Sequence, residues 1–214
     1  MLIPILTSIL LIFIGYLLGS IPTGYWMGQA LEGIDIREVG SGSTGATNVL
    51  RTLGKKAALT VFLVDVLKGA IAVLLVKGWY LYSSFDLLPN NWQPWLGLFC
   101  GLAAVMGHSR SIFLNFTGGK SVATGFGVLL AMNLIVGLGT FASFLIILAI
   151  FRIVSLGSIV GAITVNGLMI GLSQPLPYIL FAAVAGLYVI FRHRSNISRL
   201  LAGTEPKLGQ KAAE

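Results

Sequence analysis

Long apolar stretches alternate with short polar segments along almost the whole chain. The stretches approach the length of about 20 residues that a helix needs to cross a bilayer. They cover residues 1–26, 57–76, 95–106, 122–151, 156–172 and 176–191. This pattern predicts an all-α integral membrane protein in which residues 1–214 form a single polytopic domain.

The stretch at residues 122–151 is long for one span and short for two. Gly137 and Gly139 lie near its middle, and we expect the chain to break there into two short helices. The division gives about seven spans in total. An odd number of spans puts the two termini on opposite sides of the membrane, with the N-terminus outside and the C-terminus in the cytoplasm.

Composition supports the membrane assignment. Hydrophobic residues make up 56% of the chain and charged residues 10%, whereas soluble domains carry about 25% charged residues. The mean hydropathy is +0.92. No lysine or arginine precedes Arg37, so the first stretch lacks the positive region of a cleaved signal peptide and is expected to remain as a span.

The net charge of +7 reflects orientation in the membrane and not a nucleic-acid partner. In the seven-span arrangement Lys77 falls outside, and the other basic residues that lie between the spans or after the last one face the cytoplasm. These residues are Arg37, Arg51, Lys55, Lys56, Arg110, Lys120, Arg152, Arg192, Arg194, Arg199, Lys207 and Lys211. We therefore expect no nucleic-acid binding.

A segment rich in glycine and hydroxyl residues, 40–51, lies in the first predicted cytoplasmic loop. Glycines allow close backbone approach, and successive N–H groups, hydroxyls and an arginine can together hold a phosphate. The candidates are Ser41, Gly42, Ser43, Gly45, Thr47, Asn48 and Arg51. A flexible linker is the alternative. The glycine spacing matches a dinucleotide fingerprint, but that site requires a preceding strand, and here a predicted span lies on either side.

A second phosphate-binding candidate is the run Gly118-Gly119-Lys120 at the start of a predicted span. Leu114 stands where a nucleotide-binding P-loop requires glycine, so ATP binding is not expected. A lysine after two glycines can still hold an anion. The alternative is that Lys120 only anchors the span on the positive side.

Two further pairs of residues have the spacing i, i+3. His193 and Asn196 share one face if the last helix continues beyond the membrane, and they can then meet the same ligand. Asp65 and Lys68 fall inside the second span, where ionisable groups are costly and commonly pair or line a polar cavity. A structural ion pair and a direct contact with substrate both remain open for Asp65 and Lys68.

Four ordered blocks of residues together resemble the acyl-phosphate:glycerol-3-phosphate acyltransferases of bacteria, the PlsY type. The blocks are residues 40–51, residues 107–124 around Gly118-Gly119-Lys120, residues 155–158, and residues 193–207. Asp65 with Lys68 also matches a feature of the family's second helix. The resemblance implies seven spans in the bacterial inner (plasma) membrane and an active site that faces the cytoplasm.

The resemblance also implies an activity. It is the transfer of a fatty acyl group from acyl phosphate to the sn-1 hydroxyl of glycerol 3-phosphate, with release of lysophosphatidate and inorganic phosphate, as the first acylation of phospholipid biosynthesis. The expected partners are these two substrates and membrane lipid. The sequence contains no cluster of metal ligands, so we expect neither a metal nor another cofactor.

The family's motif positions imply roles for individual residues. Ser41, Thr47, Arg51 and Lys120 are expected to hold phosphoryl oxygens, with Gly118 and Gly119 forming the second loop. His193 and Asn196 are expected to orient glycerol 3-phosphate, and Ser158 and Ser155 to add hydroxyl contacts. Either His193 or the acceptor's own phosphate takes the hydroxyl proton. Asp65, Lys68 and Glu205 have supporting roles.

Two residues depart from the family pattern. Ser43 stands where members often carry asparagine, and Ser121 stands where glycine commonly follows the lysine. Both are small and polar, so phosphate binding is still expected, but Ser121 is expected to restrict backbone approach. A transporter of a small anion or a phosphate ester is the rival function. It is disfavoured because the two halves show no inverted repeat and the polar residues gather on one face.

Overall fold

The computed structural model describes residues 2–83 and 87–210. Lys211, which the charge argument places in the cytoplasm, lies outside the described residues. Within the described ranges the chain folds into helices, with no strand. The helices are α1 (Leu2–Ser20), α2 (Thr23–Glu32), α3 (Ala46–Thr52), α4 (Lys55–Tyr82), α5 (Gln93–Ser109), α6 (Val122–Met132), α7 (Leu134–Phe151), α8 (Val154–Gly171), α9 (Leu176–Arg192) and α10 (Arg194–Leu201). The all-α class predicted from the sequence is confirmed.

Several helices are suited to crossing a membrane. By length and composition, four segments of the described chain qualify, and a fifth is added if α9 and α10, which meet at an angle of 59°, count as one span. The four are Leu2–Glu32, Lys55–Tyr82, Leu134–Phe151 and Val154–Gly171. The predicted seven spans and their orientation stay a prediction.

The break inside residues 122–151 lies at Asn133, so the prediction that Gly137 and Gly139 break the stretch was wrong. Asn133 leaves the helical conformation, with φ −149° and ψ 115°, and its Oδ1 accepts a hydrogen bond of 3.0 Å from the N–H of Val136. This bond caps the start of α7. Both glycines stay inside α7, where an intact helix satisfies the backbone polar groups that a bilayer cannot.

Close packing between helices brings residues that are far apart in sequence next to each other. α4 packs along α6, α1 along α5, and α8 between α7 and α9. At the crossing of α4 and α6, a Cβ at Gly69 would collide with the carbonyl oxygen of Thr124, and a Cβ at Gly127 with that of Val66. The two glycines thus let the backbones touch and hold Asp65 of α4 beside the loop that precedes α6.

Candidate active site

The candidate active site is a pocket formed where both glycine loops, the start of α8 and the junction of α9 with α10 meet. Its volume, including open space at its mouth, is about 830 Å³. The five residues predicted to act on substrate all line it, namely Ser41, Arg51, Lys120, His193 and Asn196. Other predicted site residues that line it are Ser43, Gly45, Thr47, Asn48, Asp65, Ser155, Ser158 and Glu205. The structure therefore brings residues from all four sequence blocks to one place.

Asn48 builds the first glycine loop. Its Oδ1 accepts a hydrogen bond of 2.8 Å from the N–H of Ser41, and its Nδ2 donates to the carbonyl oxygens of Ile36 at 2.9 Å and Val39 at 3.0 Å. The side chain is buried. Because these three bonds occupy its amide, Asn48 stabilises the conformation of the loop. We expect neighbouring residues to contact the substrate.

Ser41, Thr47 and Arg51 present unused polar groups to the pocket. Their side chains make no hydrogen bond or ion pair within the part of the chain that the structure describes. Hydroxyls and a guanidinium without partners are suited to phosphate oxygens, since an arginine can donate two parallel N–H bonds to a phosphate. Ser41 from the loop and Thr47 and Arg51 from α3 therefore offer a set of anion-binding groups to the pocket.

Lys120 contributes a second cation. Its ammonium donates a hydrogen bond to Oδ1 of Asn196. Burial lowers the pKa of Lys120 to about 8, Glu205 opposes the shift, and the neighbouring Arg199, Arg192 and Arg51 add to it. The group is therefore mostly charged at neutral pH, yet its hydrogen-bond partner is a neutral amide, so its charge is available to an anion.

Glu205 orients the residues around Lys120. Its carboxylate accepts hydrogen bonds from Ser155 Oγ at 2.7 Å, Asn196 Nδ2 at 2.6 Å and Arg199 Nε at 2.7 Å. Burial would raise the pKa of Glu205, but these three donors outweigh burial and hold the pKa below its usual range. Since Nδ2 of Asn196 is bonded to Glu205, Oδ1 of Asn196 turns toward Lys120.

His193 is held in one tautomer. Its Nδ1 lies 2.7 Å from the carbonyl oxygen of Val189, and because a carbonyl oxygen can only accept, Nδ1 carries the hydrogen. Nε2 is then the acceptor of the ring. Burial lowers the pKa of His193 to about 4, so the imidazole is neutral and weakly basic at neutral pH.

Four predicted site residues lie outside the pocket lining. Gly42 and Gly118 line a neighbouring polar cavity, and Gly119 packs so tightly that a Cβ there would collide with Nε2 of His108. Lys68 faces a different, small cavity. Its ammonium lies 2.8 Å from Oδ1 of Asp65 and donates to the carbonyl oxygen of Ile21 at 2.9 Å. This geometry favours the structural ion pair over a substrate contact for Lys68.

The support of the second loop was missed by sequence reasoning. Arg192 donates to the carbonyl oxygens of Gly118 at 3.3 Å and Gly119 at 3.0 Å, and Ser109 Oγ donates to that of Gly119 at 3.0 Å. A signal was present, because Arg192 directly precedes His193 and Ser109 directly follows His108 of the second block. These contacts fix the backbone that carries Lys120.

The departure at Ser121 has a structural counterpart. Ser121 has φ +60°, a left-handed conformation that glycine adopts without cost. Its hydroxyl donates to the carbonyl oxygen of Val105 at 2.7 Å and lies 2.5 Å from Ser109 Oγ. The buried hydrogen bond to Val105 offsets part of the backbone cost of a non-glycine residue at this position.

An apolar groove of about 690 Å³ continues from the polar pocket between the helices. The two share Phe62, Phe144 and Ser158 among their lining residues. Deeper in the groove the rings of Phe126 and Phe141 stack with centroids 4.6 Å apart. The arrangement suits an amphipathic ligand that has an alkyl chain in the groove and an anionic group beside Arg51 and Lys120.

Comparisons with known proteins agree with this geometry. A sequence profile described as Glycerol-3-phosphate acyltransferase matches residues 9–203. The glycerol-3-phosphate acyltransferase of Crocosphaera subtropica is 63% identical, covering 96% of both chains. That of a Nostoc species is 61% identical, covering 94% of this chain and 91% of the relative.

Two solved structures of a relative have the same fold as this chain. PlsY (YgiH), described as an integral membrane glycerol 3-phosphate acyltransferase, was solved in a glycerol 3-phosphate form that superposes with a TM-score of 0.84 at 39% identity, covering 95% of this chain and 96% of that one. A lysophosphatidic acid form of PlsY superposes with a TM-score of 0.82 at 38% identity, with the same coverage.

Proposed function

Because this chain belongs to the PlsY-type family of glycerol-3-phosphate acyltransferases, we propose that its acyl donor is an acyl phosphate. Acyl transfer to glycerol 3-phosphate in phospholipid synthesis is the activity of the family. The observation that carries the proposed donor is the direct continuity between an apolar groove and unpaired phosphate-binding groups. Such a site fits a molecule whose alkyl chain ends in a phosphate.

The donor's own chemistry reduces what the protein must supply. An acyl phosphate is a mixed anhydride whose phosphate leaves readily, so the reaction needs no protein nucleophile. The glycerol 3-phosphate hydroxyl oxygen forms the new bond to the acyl carbon, and the bond from that carbon to the phosphate oxygen breaks. Arg51, Lys120 and the hydroxyls of Ser41 and Thr47 stabilise the charge that develops on the leaving phosphate.

The acceptor is oriented by the second half of the site. Nε2 of His193 accepts a hydrogen bond from the acceptor, and Ser155 and Ser158 line the same pocket. A phosphate has a second pKa of about 6, whereas the pKa of His193 is about 4. The hydroxyl proton therefore passes to a phosphate oxygen, and His193 acts as an orienting acceptor.

Substrate, product and location follow the same proposal. The glycerol 3-phosphate and lysophosphatidic acid forms of PlsY support this acceptor and this product for the present chain. We infer a single domain over residues 1–214 in the bacterial inner membrane, with the pocket facing the cytoplasm. The excess of basic residues on the side of both glycine loops supports this orientation.

The test is release of inorganic phosphate by the purified protein supplied with palmitoyl phosphate, with and without glycerol 3-phosphate. We expect release that requires glycerol 3-phosphate and yields lysophosphatidate. Acyl-CoA is the control donor and is expected to give no turnover. Turnover with acyl-CoA but not with palmitoyl phosphate would overturn the proposed donor, and inactivity with both donors would overturn the proposed function.

A further inference from the structure

A second polar cavity lies beside the active-site pocket. Arg37, Arg110 and Arg192 line it, together with Asp35, Glu38 and Thr117, and we refer to it as the arginine cavity. Its volume, including open space at its mouth, is about 830 Å³. The proposed reaction mechanism makes no use of this cavity.

Residues that are close in sequence form a wall that separates the arginine cavity from the active-site pocket. At four places, residues adjacent in sequence or one residue apart line opposite sides of this wall. The pairs, with the arginine-cavity residue first, are Gly42 and Ser41, Ser109 and His108, Gly118 and Lys120, and Arg192 and His193. The wall therefore includes both glycine loops and the C-terminal ends of α5 and α9.

The charges of the arginine cavity favour an anion. Arg37 is paired with Asp35 at 2.5 Å, so these two charges cancel. Arg110 and Arg192 have no carboxylate partner in the described chain. They donate hydrogen bonds to backbone carbonyl oxygens, from Arg110 to Phe116 at 3.2 Å and from Arg192 to the second glycine loop.

Each of these two guanidiniums keeps further N–H donors. A guanidinium presents five donors, and paired donors match phosphate oxygens. The one carboxylate in the lining that lacks an ion pair within the described residues is Glu38, and it is exposed. Two unpaired cations thus outweigh one exposed anion.

We propose that the arginine cavity is a second binding site for a phosphate dianion, placed directly behind the active site. The proposal rests on the proposed function, in which glycerol 3-phosphate enters from water and inorganic phosphate returns to it. Both are soluble phosphate compounds, whereas the acyl phosphate and lysophosphatidate can use the apolar groove. A cationic cavity on the aqueous side raises the local concentration of such anions.

Opposite charge changes provide the test. We expect Arg110→Gln to raise the KM for glycerol 3-phosphate by about 3- to 10-fold, and Glu38→Gln to lower it by about twofold, since each alters the cavity potential with opposite sign. The KM for palmitoyl phosphate should not move in either variant. Both shifts should shrink at about 0.5 M salt, because salt screens exposed charges.

The second arm measures inhibition by inorganic phosphate in the same variants. A change in the inhibition constant alone would show that the site binds the leaving phosphate. A change in the KM for glycerol 3-phosphate alone would show that it binds the incoming acceptor. Changes in both constants would show that the site accepts both compounds. Arg110→Lys retains the charge but not the paired donors, and its constants should lie between those of wild type and those of Arg110→Gln. Lys56→Gln removes an exposed cation outside both cavities and should change neither constant.

The outcomes separate this proposal from the proposed function. If wild-type protein transfers the acyl group but neither constant moves in Arg110→Gln or Glu38→Gln, the second site is excluded while the activity stands. An equal shift in the KM for palmitoyl phosphate would also exclude it. Should Arg110→Gln not fold, Glu38→Gln alone decides, since this exposed side chain makes no hydrogen bond in the described residues.

Discussion

Arg51 and Lys120 are the two pocket cations that form no ion pair within the described chain. In the proposed reaction they neutralise the leaving phosphate, so we expect Arg51→Ala and Lys120→Ala each to reduce acyl transfer on the order of 100-fold or more. Phosphate release measures the loss, and elution as a single species in detergent checks folding. Lys56→Ala is the matched control. Full activity in either pocket variant would remove the residue from the mechanism.

The pKa of Lys120 predicts a pH dependence. Because burial lowers this pKa to about 8, the ammonium is charged below that pH and loses its charge as the pH rises through it. We expect kcat/KM for palmitoyl phosphate to fall above about pH 8, since kcat/KM reports ionisation of the free enzyme. In Lys120→Arg the guanidinium stays charged, so any remaining activity should persist to higher pH. An unchanged alkaline limb would contradict the assignment.

Residue types and spacing predicted which residues line the candidate pocket better than they predicted the contacts that each residue makes there. Ser41, Arg51 and Lys120 line the pocket as the motifs indicated, and their contact with phosphate stays a prediction. The task of Asn48 depends on which of its neighbours have free backbone groups. That information arises only when the chain has folded, as does the contact of Arg192 with the second glycine loop.

At the scale of helices, the crossing of α4 and α6 depends on the absence of side chains. A Cβ at Gly69 would collide with the carbonyl oxygen of Thr124, whereas a Cβ at Gly78 of the same helix meets nothing within 4 Å. We expect Gly69→Ala to destabilise the protein by about 1–3 kcal/mol through overpacking and Gly78→Ala to leave stability unchanged or slightly higher. Thermal unfolding in detergent measures both. Equal midpoints would show that the crossing is not tight.

The break between α6 and α7 shows why helix boundaries were harder to predict than helices. Hydrophobic length indicated two helices within residues 122–151, which is the number observed. Glycine is a helix breaker in water, but in this protein Gly137 serves packing against Leu130. The break instead falls at Asn133, whose side chain caps α7 and also donates to Gln174 at 2.8 Å. That second contact joins residues 41 positions apart, so the local sequence could not indicate it.

At the scale of the whole molecule, the apolar groove, the active-site pocket and the arginine cavity separate the compounds of the proposed reaction by their solubility. The apolar groove opens between helices that are suited to lipid, and the arginine cavity lies behind the loops that carry the charged groups. The active-site pocket lies between them and has both polar and apolar lining residues. An enzyme that joins a lipid to a water-soluble acceptor requires such a division, and this requirement makes orientation in the membrane the central remaining prediction.

Orientation can be tested with single cysteines, because the native Cys100 is fully buried. Lys56 and Lys207 flank α4 to α9, and if each of these six helices crosses the membrane, both residues lie on the cytoplasmic side. Asn91, between α4 and α5, lies outside. In spheroplasts we expect an impermeant maleimide to label Asn91→Cys at once and Lys56→Cys and Lys207→Cys only after lysis. Labelling of Lys56→Cys and Lys207→Cys from opposite sides would require an odd number of crossings between them and would exclude the seven-span arrangement.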